Sequence, residues 1–373
     1  MEIMARGLAL RGVADGDSSS LAFGSVAALP SGRWLAAARA APRKEDVHRQ
    51  TVVLAHSDDE GATWSPPRAP FAGIPLRGRA GAFRAMNLTA LGGRDVLATL
   101  AWADVEEDGR PFFDPATEAL REMRLFLSRS SDAGLTWSPP ELVSTPPYDR
   151  MATPVTGPAL VFPDGTLALS YETNKLAGDP APWRHASALS FSTDGGRTFP
   201  RHARVTYDPD GRYFHWDQRP SVLKDGALVD FFWSYDAKAG TYLNIHASAS
   251  ADVGRTWTPL WDTGVPGQPA PARELPDGRW VLVYVDRAAA PAIDARVSSD
   301  RGRTWGGATR IYAADASMRV EKENSMADAW SSMSRFAVGL PATAGLPDGD
   351  VLAIWYAGPE PDRTDIHWAR LRG

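Results

Sequence analysis

A short turn motif occurs five times along this chain of 373 residues. An Asp side chain can accept hydrogen bonds from the amides of its own turn, and Gly accepts a positive φ, so the motif favours a tight turn. Thr and an aromatic residue then begin a strand. The repeat therefore predicts a series of equivalent hairpins whose aspartates are structural and touch no substrate. The copies are "SDDEGATWSPP" with Asp59, "SSDAGLTWSPP" with Asp132, "STDGGRTFP" with Asp194, "SADVGRTWTP" with Asp252 and "SSDRGRTWGG" with Asp300.

A second repeat, of apolar runs that each follow a turn, interleaves with the first. Its six copies are "LPSGRWLAAAR", "LGGRDVLATLAW", "FPDGTLALSYE", "LKDGALVDFFW", "LPDGRWVLVYV" and "LPDGDVLAIWY". Another short apolar stretch precedes each copy, so each unit supplies four strands. Four-stranded antiparallel sheets repeated radially form a β-propeller. The sequence therefore predicts an all-β protein with six blades.

The whole chain, residues 1–373, is expected to form a single domain, because no low-complexity linker interrupts the blades. It ends on "TDIHWARLRG", which has no Asp turn after it, so the sixth blade lacks an outer strand. The N-terminal "EIMARGLALRG" is expected to pair there and spare the sheet an open edge.

Composition excludes several classes of function. With no Cys, no thiol can act as nucleophile or ligand. No His/Asp spacing is typical of a metal site, so we expect neither a metal nor another cofactor. The formal net charge of −5 and the absence of a basic block argue against nucleic acid as a partner. No apolar run approaches the roughly 20 residues of a membrane helix, so no membrane partner is expected.

The start "MEIMARGLALRG" lacks the basic head, apolar core and cleavage site of a signal peptide. A cytoplasmic protein is expected, or a secreted one if a signal has been removed. The expected partner is a carbohydrate or another small molecule, bound by a monomer or a weak homo-oligomer.

The S-x-D-x-G-x-T-W turn on six predicted blades resembles the sialidase superfamily over nearly the whole chain. In "ARAAPRKEDVHRQTVVLAHSDDEG" the resemblance places the acid/base carboxylate at Asp46, with Glu45 as the alternative register. In "FHWDQRPSVLKDG" it places Asp217 where sialidases have the Glu that activates their tyrosine nucleophile. Alternatively, Asp217 pairs with Arg219 or caps a strand entry. Blades one and four oppose each other, so the two aspartates are expected to face one another. Asp46, as general acid, is expected to have a raised pKa.

Two positions depart from the family. Sialidases grip a sugar carboxylate with three arginines, and Gly24 in "FGSVAAL" stands where the first is expected. Their nucleophilic Tyr is expected shortly before the last "LPDG", where "GLPATAGLPDG" places Leu340. Arginines near the inner-strand entries are candidates to compensate, or else form structural ion pairs. The candidate substrate-binding residues are Arg39, His48, Arg84, Trp216, Arg219, Arg273 and Arg335.

The resemblance therefore implies a sialidase-like glycoside hydrolase that acts on a glycan or glycoside at the propeller mouth and is not a standard N-acetylneuraminidase. The alternative is a propeller that binds or transforms a sugar-like or small acidic ligand without hydrolysis. The segment "ADASMRVEKENSMADAWSSMSRF", which contains Glu321 and Glu323, departs from the blade rhythm. It is expected to form a lid near the mouth, or else a surface excursion without a role.

Overall fold

The computed structural model describes residues 1–107, 109–315, 318, 328 and 332–373. Within these residues the chain forms antiparallel sheets arranged as the six-bladed propeller that the repeats predict. Two blades share one seven-stranded sheet because a single parallel bridge joins Ser20 to Thr364. The other four blades are separate sheets of four or five strands.

The strands of the first three blades follow the predicted repeats, and we number the blades in chain order. Blade 1 contains Ser20–Ala28, Trp34–Ala41 and Thr51–Ser57, with a bridge between Leu54 and Arg68 at its outer position. Blade 2 contains Gly81–Gly92, Asp95–Asp104, Met123–Ser130 and Glu141–Leu142. Blade 3 contains Leu160–Val161, Leu167–Thr173, Ala186–Ser192 and Arg201–Tyr207.

The remaining blades complete the ring. Blade 4 contains Tyr213–Val222, Leu228–Asp236, His246–Ser250 and Trp261–Asp262, with Thr241–Tyr242 added to its second strand. Blade 5 contains Gln268–Pro269 with Arg273–Glu274, then Trp280–Asp286, Ala292–Ser298 and Thr309–Ala313. Blade 6 contains Val338–Gly345, Val351–Glu360, Arg363–Arg372 and the N-terminal Glu2–Leu10. Outside the blades, Phe113–Asp114 pairs with Ala119–Leu120, and a short 3-10 helix covers Met333–Arg335.

The Asp turns hold their hairpins with one hydrogen-bond pattern, which confirms the predicted turns. At Asp132 one carboxylate oxygen accepts the Thr136 amide at 2.8 Å, and the other accepts the Thr136 hydroxyl at 2.6 Å. The hydroxyl of Ser130 donates to the same carboxylate at 2.8 Å. The same three bonds occur at Asp59, Asp194, Asp252 and Asp300.

The N-terminal strand lies at the outer edge of blade 6. Residues Glu2–Leu10 pair antiparallel with Arg363–Arg372. Gly7 sits over Trp368, where an added Cβ would be 2.9 Å from the indole nitrogen. The two ends of the chain therefore meet in one sheet.

The core consists of apolar layers between neighbouring blades. Leu35 and Val52 of blade 1 pack with Met86 and Leu100 of blade 2, for example. Such layers fix each blade against the next, so the inner strands form a rigid frame around the axis.

The innermost strands of blades 1, 2, 4 and 6 each carry a β-bulge. At three of these bulges a residue other than Gly has a positive φ: Phe23 at 52°, Asp217 at 49° and Leu340 at 44°. Arg84 occupies the bulge of blade 2. Because a bulge turns a side chain away from its regular direction, all four of these residues reach the wall of one cavity.

Candidate functional site

A cavity of about 1000 Å³ lies at the propeller mouth. Its wall combines the bulged inner strands with residues 43–49, the loop between the second and third strands of blade 1. This volume is at the upper end of the range of ordinary small-molecule sites. The cavity is therefore large enough to enclose a sugar unit.

Six of the nine predicted site residues line this cavity: Asp46, His48, Arg84, Trp216, Asp217 and Arg219. Trp216 is almost fully buried and stacks on Trp233, with ring centroids 5.2 Å apart. The structure thus brings both predicted catalytic carboxylates and most of the predicted binding residues to one cavity, Asp46 from a blade 1 loop and Asp217 from the inner strand of blade 4.

The other three predicted residues lie outside the cavity wall. Arg39 is buried beneath it and donates to Gln50 at 2.8 Å and to the carbonyl of Asp46. Arg273 donates to the hydroxyl and carbonyl of Thr343. Arg335 is exposed and donates to the Ser332 hydroxyl. Their contacts support neighbouring parts of the mouth.

The Asp46 carboxylate is held by its own loop. It accepts the backbone amides of His48 at 3.1 Å and Arg49 at 3.0 Å, and the Arg49 side chain at 3.1 Å. Burial raises the pKa of Asp46, since its side chain is 9% exposed, but these hydrogen bonds outweigh burial and leave the pKa below its ordinary value. The expectation of a raised pKa is therefore wrong, because backbone donors that follow the carboxylate in the loop stabilise its ionised form.

For the Asp217 carboxyl group, the effects that raise the pKa outweigh those that lower it. Burial raises its pKa, the charge of Arg219 at 2.6 Å opposes the rise, and the charge of Glu172 adds to it. The net effect places the pKa of Asp217 above its ordinary value. The side chain keeps 22% of its surface exposed toward the cavity, so it can exchange a proton with a bound molecule.

A chain of hydrogen bonds leads from Asp217 across blades 5 and 6. The side-chain amide of Gln268 donates to Asp217, and Arg287 donates to the Gln268 oxygen at 2.9 Å. The Arg287 guanidinium also interacts with the hydroxyl of Tyr356. The ammonium group of Lys44 lies 2.8 Å from the same hydroxyl and donates to the carbonyl of Phe336.

Three cavity residues in this series of hydrogen bonds were not predicted from the sequence: Lys44, Arg287 and Tyr356. Tyr356 lies on the second strand of blade 6 and pairs with Gly339 on the first strand. Gly339 directly precedes Leu340, which occupies the position where the family resemblance places the nucleophilic tyrosine. An added Cβ at Gly339 would meet both Arg287 and the Tyr356 hydroxyl. A Gly immediately before Leu340 is the signal that could have indicated a side chain arriving from the neighbouring strand.

The pKa values along this chain follow from burial. Burial lowers the pKa of Lys44 well below its usual range, and nearby guanidinium groups lower it further. Burial raises the pKa of Tyr356, while Arg287 opposes the rise. Burial therefore favours the neutral forms of both groups, the Lys44 amine and the Tyr356 phenol, whose nitrogen and oxygen lie 2.8 Å apart.

Across the described ranges, no three His, Cys, Asp or Glu residues are grouped so that they could hold a metal ion. No helix among these residues is long and apolar enough to cross a bilayer. The predicted lid, with Glu321 and Glu323, lies largely outside the described residues.

Residues 113–352 match a family described as "BNR repeat-like domain". The chain therefore belongs to this family, and its fold is that of the sialidase-like propellers. No curated protein matches it significantly.

Several solved structures share the fold. A protein of unknown function from Dyadobacter fermentans aligns with a TM-score of 0.74 and 19% identity, covering 100% of this chain and 99% of that one. The Hadza microbial sialidase Hz136 aligns with a TM-score of 0.67 and 17% identity, covering 97% of this chain and 67% of that one. The intramolecular trans-sialidase from Ruminococcus gnavus aligns with a TM-score of 0.63 and 14% identity, covering 95% of both chains.

Proposed function

We propose that this chain is a glycoside hydrolase that cleaves a glycan or glycoside in the cavity, with Asp217 and Tyr356 as its central catalytic residues. The observation that carries the proposal is that a protonatable carboxyl group and a phenol line one cavity, linked through Gln268 and Arg287. Cleavage of a glycosidic bond needs a proton donor for the leaving oxygen and a second group at the anomeric carbon.

In the proposed reaction the glycosidic C–O bond breaks as its oxygen takes the proton of Asp217. The Tyr356 oxygen forms the new bond to the anomeric carbon, and its proton passes to the Lys44 amine. Water then attacks the same carbon and gives a proton to the Asp217 carboxylate. The phenol leaves and recovers its proton from Lys44. Arg287 stabilises the phenolate in both steps, since it already contacts the hydroxyl.

Asp46 takes a different role in this scheme. Its carboxylate is stabilised in the ionised form and lines the same cavity. A fixed negative charge favours the positive charge that develops on the sugar ring when the bond breaks. Asp46 therefore acts as an electrostatic partner, and Asp217 carries the proton.

The substrate differs from that of a standard N-acetylneuraminidase. Gly24 and Leu340 line the cavity at the two positions where the family places an arginine and its tyrosine. A Gly cannot replace a guanidinium that binds a carboxylate through two hydrogen bonds.

The non-hydrolytic alternative is favoured by one observation: both carboxylates already have cationic partners, Arg49 for Asp46 and Arg219 for Asp217. A panel of aryl glycosides that includes sialosides and uronides separates the two functions. We expect the wild type to hydrolyse at least one member, and Asp217→Asn or Tyr356→Phe to lower its turnover by about 100-fold or more. Glu141→Gln, at an exposed outer strand of blade 2, is the control. Sugar binding by the wild type without any hydrolysis would establish the alternative.

A further inference from the structure

We propose that Glu172 is a positioning residue for Asp217: it holds the bulged backbone of Asp217 in place, and its negative charge keeps the Asp217 carboxyl group protonated. The inference rests on the proposed function for the role of Asp217 as proton donor. Glu172 lies on the second strand of blade 3 and Asp217 on the first strand of blade 4. A side chain of one blade would therefore control the acid on the next.

The bulge in the inner strand of blade 4 leaves the backbone of Asp217 in need of a partner. Pairing of this strand is interrupted between Trp216 and Arg219, and Asp217 has a φ of 49°. A positive φ is unfavourable for a residue that has a Cβ, and a bulge takes a backbone amide out of the sheet ladder. The Asp217 amide donates instead to Oε1 of Glu172. Glu172 thus replaces the acceptor that a regular strand would supply.

The second bulged residue, Gln218, is bound to the same blade. Its side chain is fully buried, and the amide group donates to two backbone carbonyls of blade 3, those of Tyr171 at 2.7 Å and Ala188 at 3.1 Å. Tyr171 directly precedes Glu172 in the chain. Both bulged residues are therefore fixed to neighbouring positions of one rigid strand, and the Asp217 side chain reaches the cavity from there.

The Glu172 carboxylate has a defined orientation. Its Oε2 lies 3.6 Å from Nε2 of His185, which directly precedes the third strand of blade 3, and both side chains are buried. The ring of His185 packs against Trp183 and Phe214, with ring centroids 6.2 and 5.9 Å away. With Oε2 near His185, the carboxylate keeps Oε1 toward the Asp217 amide.

The charges around Asp217 give the carboxylate of Glu172 a second effect. Burial raises the pKa of Asp217, the charge of Arg219 lowers it, and the charge of Glu172 raises it. A nearby negative charge disfavours ionisation of a carboxyl group. Burial, and to a smaller extent Glu172, also raise the pKa of Asp230 on the same blade. The titratable groups that face Asp217 are Arg219 on its own strand, Glu172 on blade 3, Arg287 on blade 5 and Tyr356 on blade 6.

Two substitutions separate the two effects. Glu172→Gln keeps an oxygen that can accept the Asp217 amide but removes the charge, whereas Glu172→Leu removes both. The full-length protein is labelled with carbon-13 at its aspartate carboxyl groups and titrated by NMR, and the Asp217 signal is assigned by its loss in Asp217→Asn. We expect the pKa of Asp217 to be lower in Glu172→Gln than in the wild type, because the charge that raises it is gone.

Hydrogen exchange of the Asp217 amide measures the hold on the backbone. Glu172→Leu should exchange this hydrogen faster than the wild type, since its acceptor is lost. Glu172→Gln should exchange it at about the wild-type rate. On any glycoside that the wild type hydrolyses, kcat/KM of Glu172→Gln should equal that of the wild type at the acidic end of the pH profile. At the basic end it should fall about tenfold for each unit by which the pKa is lowered.

Asp236→Asn is the matched control. Asp236 is also a buried carboxylate at the end of a second strand, on the same blade as Asp217, but its partner is Arg212 at 2.7 Å and it is absent from the cavity wall. This variant should leave both the titration and the amide exchange of Asp217 unchanged.

An Asp217 pKa that is the same in Glu172→Gln and wild type, or unchanged exchange of the Asp217 amide in Glu172→Leu, would overturn the role of Glu172. If Glu172→Leu does not fold, the titration of Glu172→Gln decides. Neither NMR measurement needs a substrate, so the two proposals fail separately. A lowered pKa in Glu172→Gln without hydrolysis by the wild type would contradict the proposed function alone, and hydrolysis with an unchanged pKa the role of Glu172 alone.

Discussion

The two carboxylates of the cavity differ because of the groups around them. Asp46 accepts hydrogen bonds from amides that follow it in its loop, which favour the charged form. Burial of Asp217 favours the neutral form and the charge of Glu172 adds to this, while the Arg219 guanidinium and the Gln268 amide oppose it. One fold can therefore provide one ionised and one protonatable carboxyl group at the same pH, as paired acid and base roles require.

This difference predicts how Asp217→Asn and Asp46→Asn will behave on substrates with poor and good leaving groups. A general acid matters most when the leaving oxygen is strongly basic, so Asp217→Asn should lose about 100-fold or more on an alkyl glycoside and much less on an activated aryl glycoside. Asp46→Asn should lower turnover by similar factors on the alkyl and the aryl glycoside, because the fixed charge of Asp46 acts on the sugar ring, which both substrates share, and not on the leaving group. Turnover numbers on the two substrates check this. The opposite pattern would return the acid role to Asp46.

A buried carboxyl group at the contact between blades 3 and 4 allows a pH test of stability. Asp230 is fully buried, and no side chain in the described ranges donates a hydrogen bond to it. Burial raises its pKa well above the ordinary value, opposed by backbone hydrogen bonds and by Arg219. A raised pKa in the folded state contributes stability that is complete below the unfolded pKa, ~3.9, and is lost as pH rises through the folded value.

Asp230→Asn should therefore gain stability over the wild type as pH rises from 4 to 8. The gain is roughly 1.4 kcal/mol for each unit by which the folded pKa is raised. Urea unfolding at several pH values measures it, and Asp95→Asn, at an exposed strand end, should show no such trend. A difference between Asp230→Asn and wild type that stayed constant with pH would show that Asp230 is not held neutral by burial.

At the scale of the hairpin, the Asp turns are scaffold. Asp132 is bonded within its own turn and is absent from the cavity wall. Its replacement by Ala should lower the free energy of unfolding by about 1 to 2 kcal/mol through lost turn hydrogen bonds, and leave ligand affinity intact. Chemical denaturation and a binding titration on the same variant check this, with Glu141→Ala as the control. A folded variant with weakened ligand binding would contradict it.

At the same scale, some elements were predictable from sequence and others were not. The Asp turns and the second strands carry their own local signals, so their number and order are visible in the repeats. Tyr356 and Lys44 meet through a contact between residues 312 positions apart. Such a contact depends on the bulge at Leu340 and on the small Gly339, and neither has a periodic pattern. The orientation of the Asp46 carboxylate likewise depends on hydrogen bonds from the amides of its loop. The sequence of this charged loop does not by itself predict those bonds.

At the scale of the whole molecule, closure of the ring decides stability, because the sixth blade combines strands from both ends of the chain. Deletion of residues 2–10 would expose the edge of Arg363–Arg372 and uncover Trp368, which packs over Gly7. Each lost backbone hydrogen bond costs about 0.5 to 1.5 kcal/mol, so the total should reach several kcal/mol. The open edge should also promote pairing between molecules. We expect a lower Tm and concentration-dependent association in light scattering, and Gly7→Val, which clashes with Trp368, should show a milder form of both. A deletion variant with the Tm of the wild type and no association would show that the N-terminal strand does not close the ring.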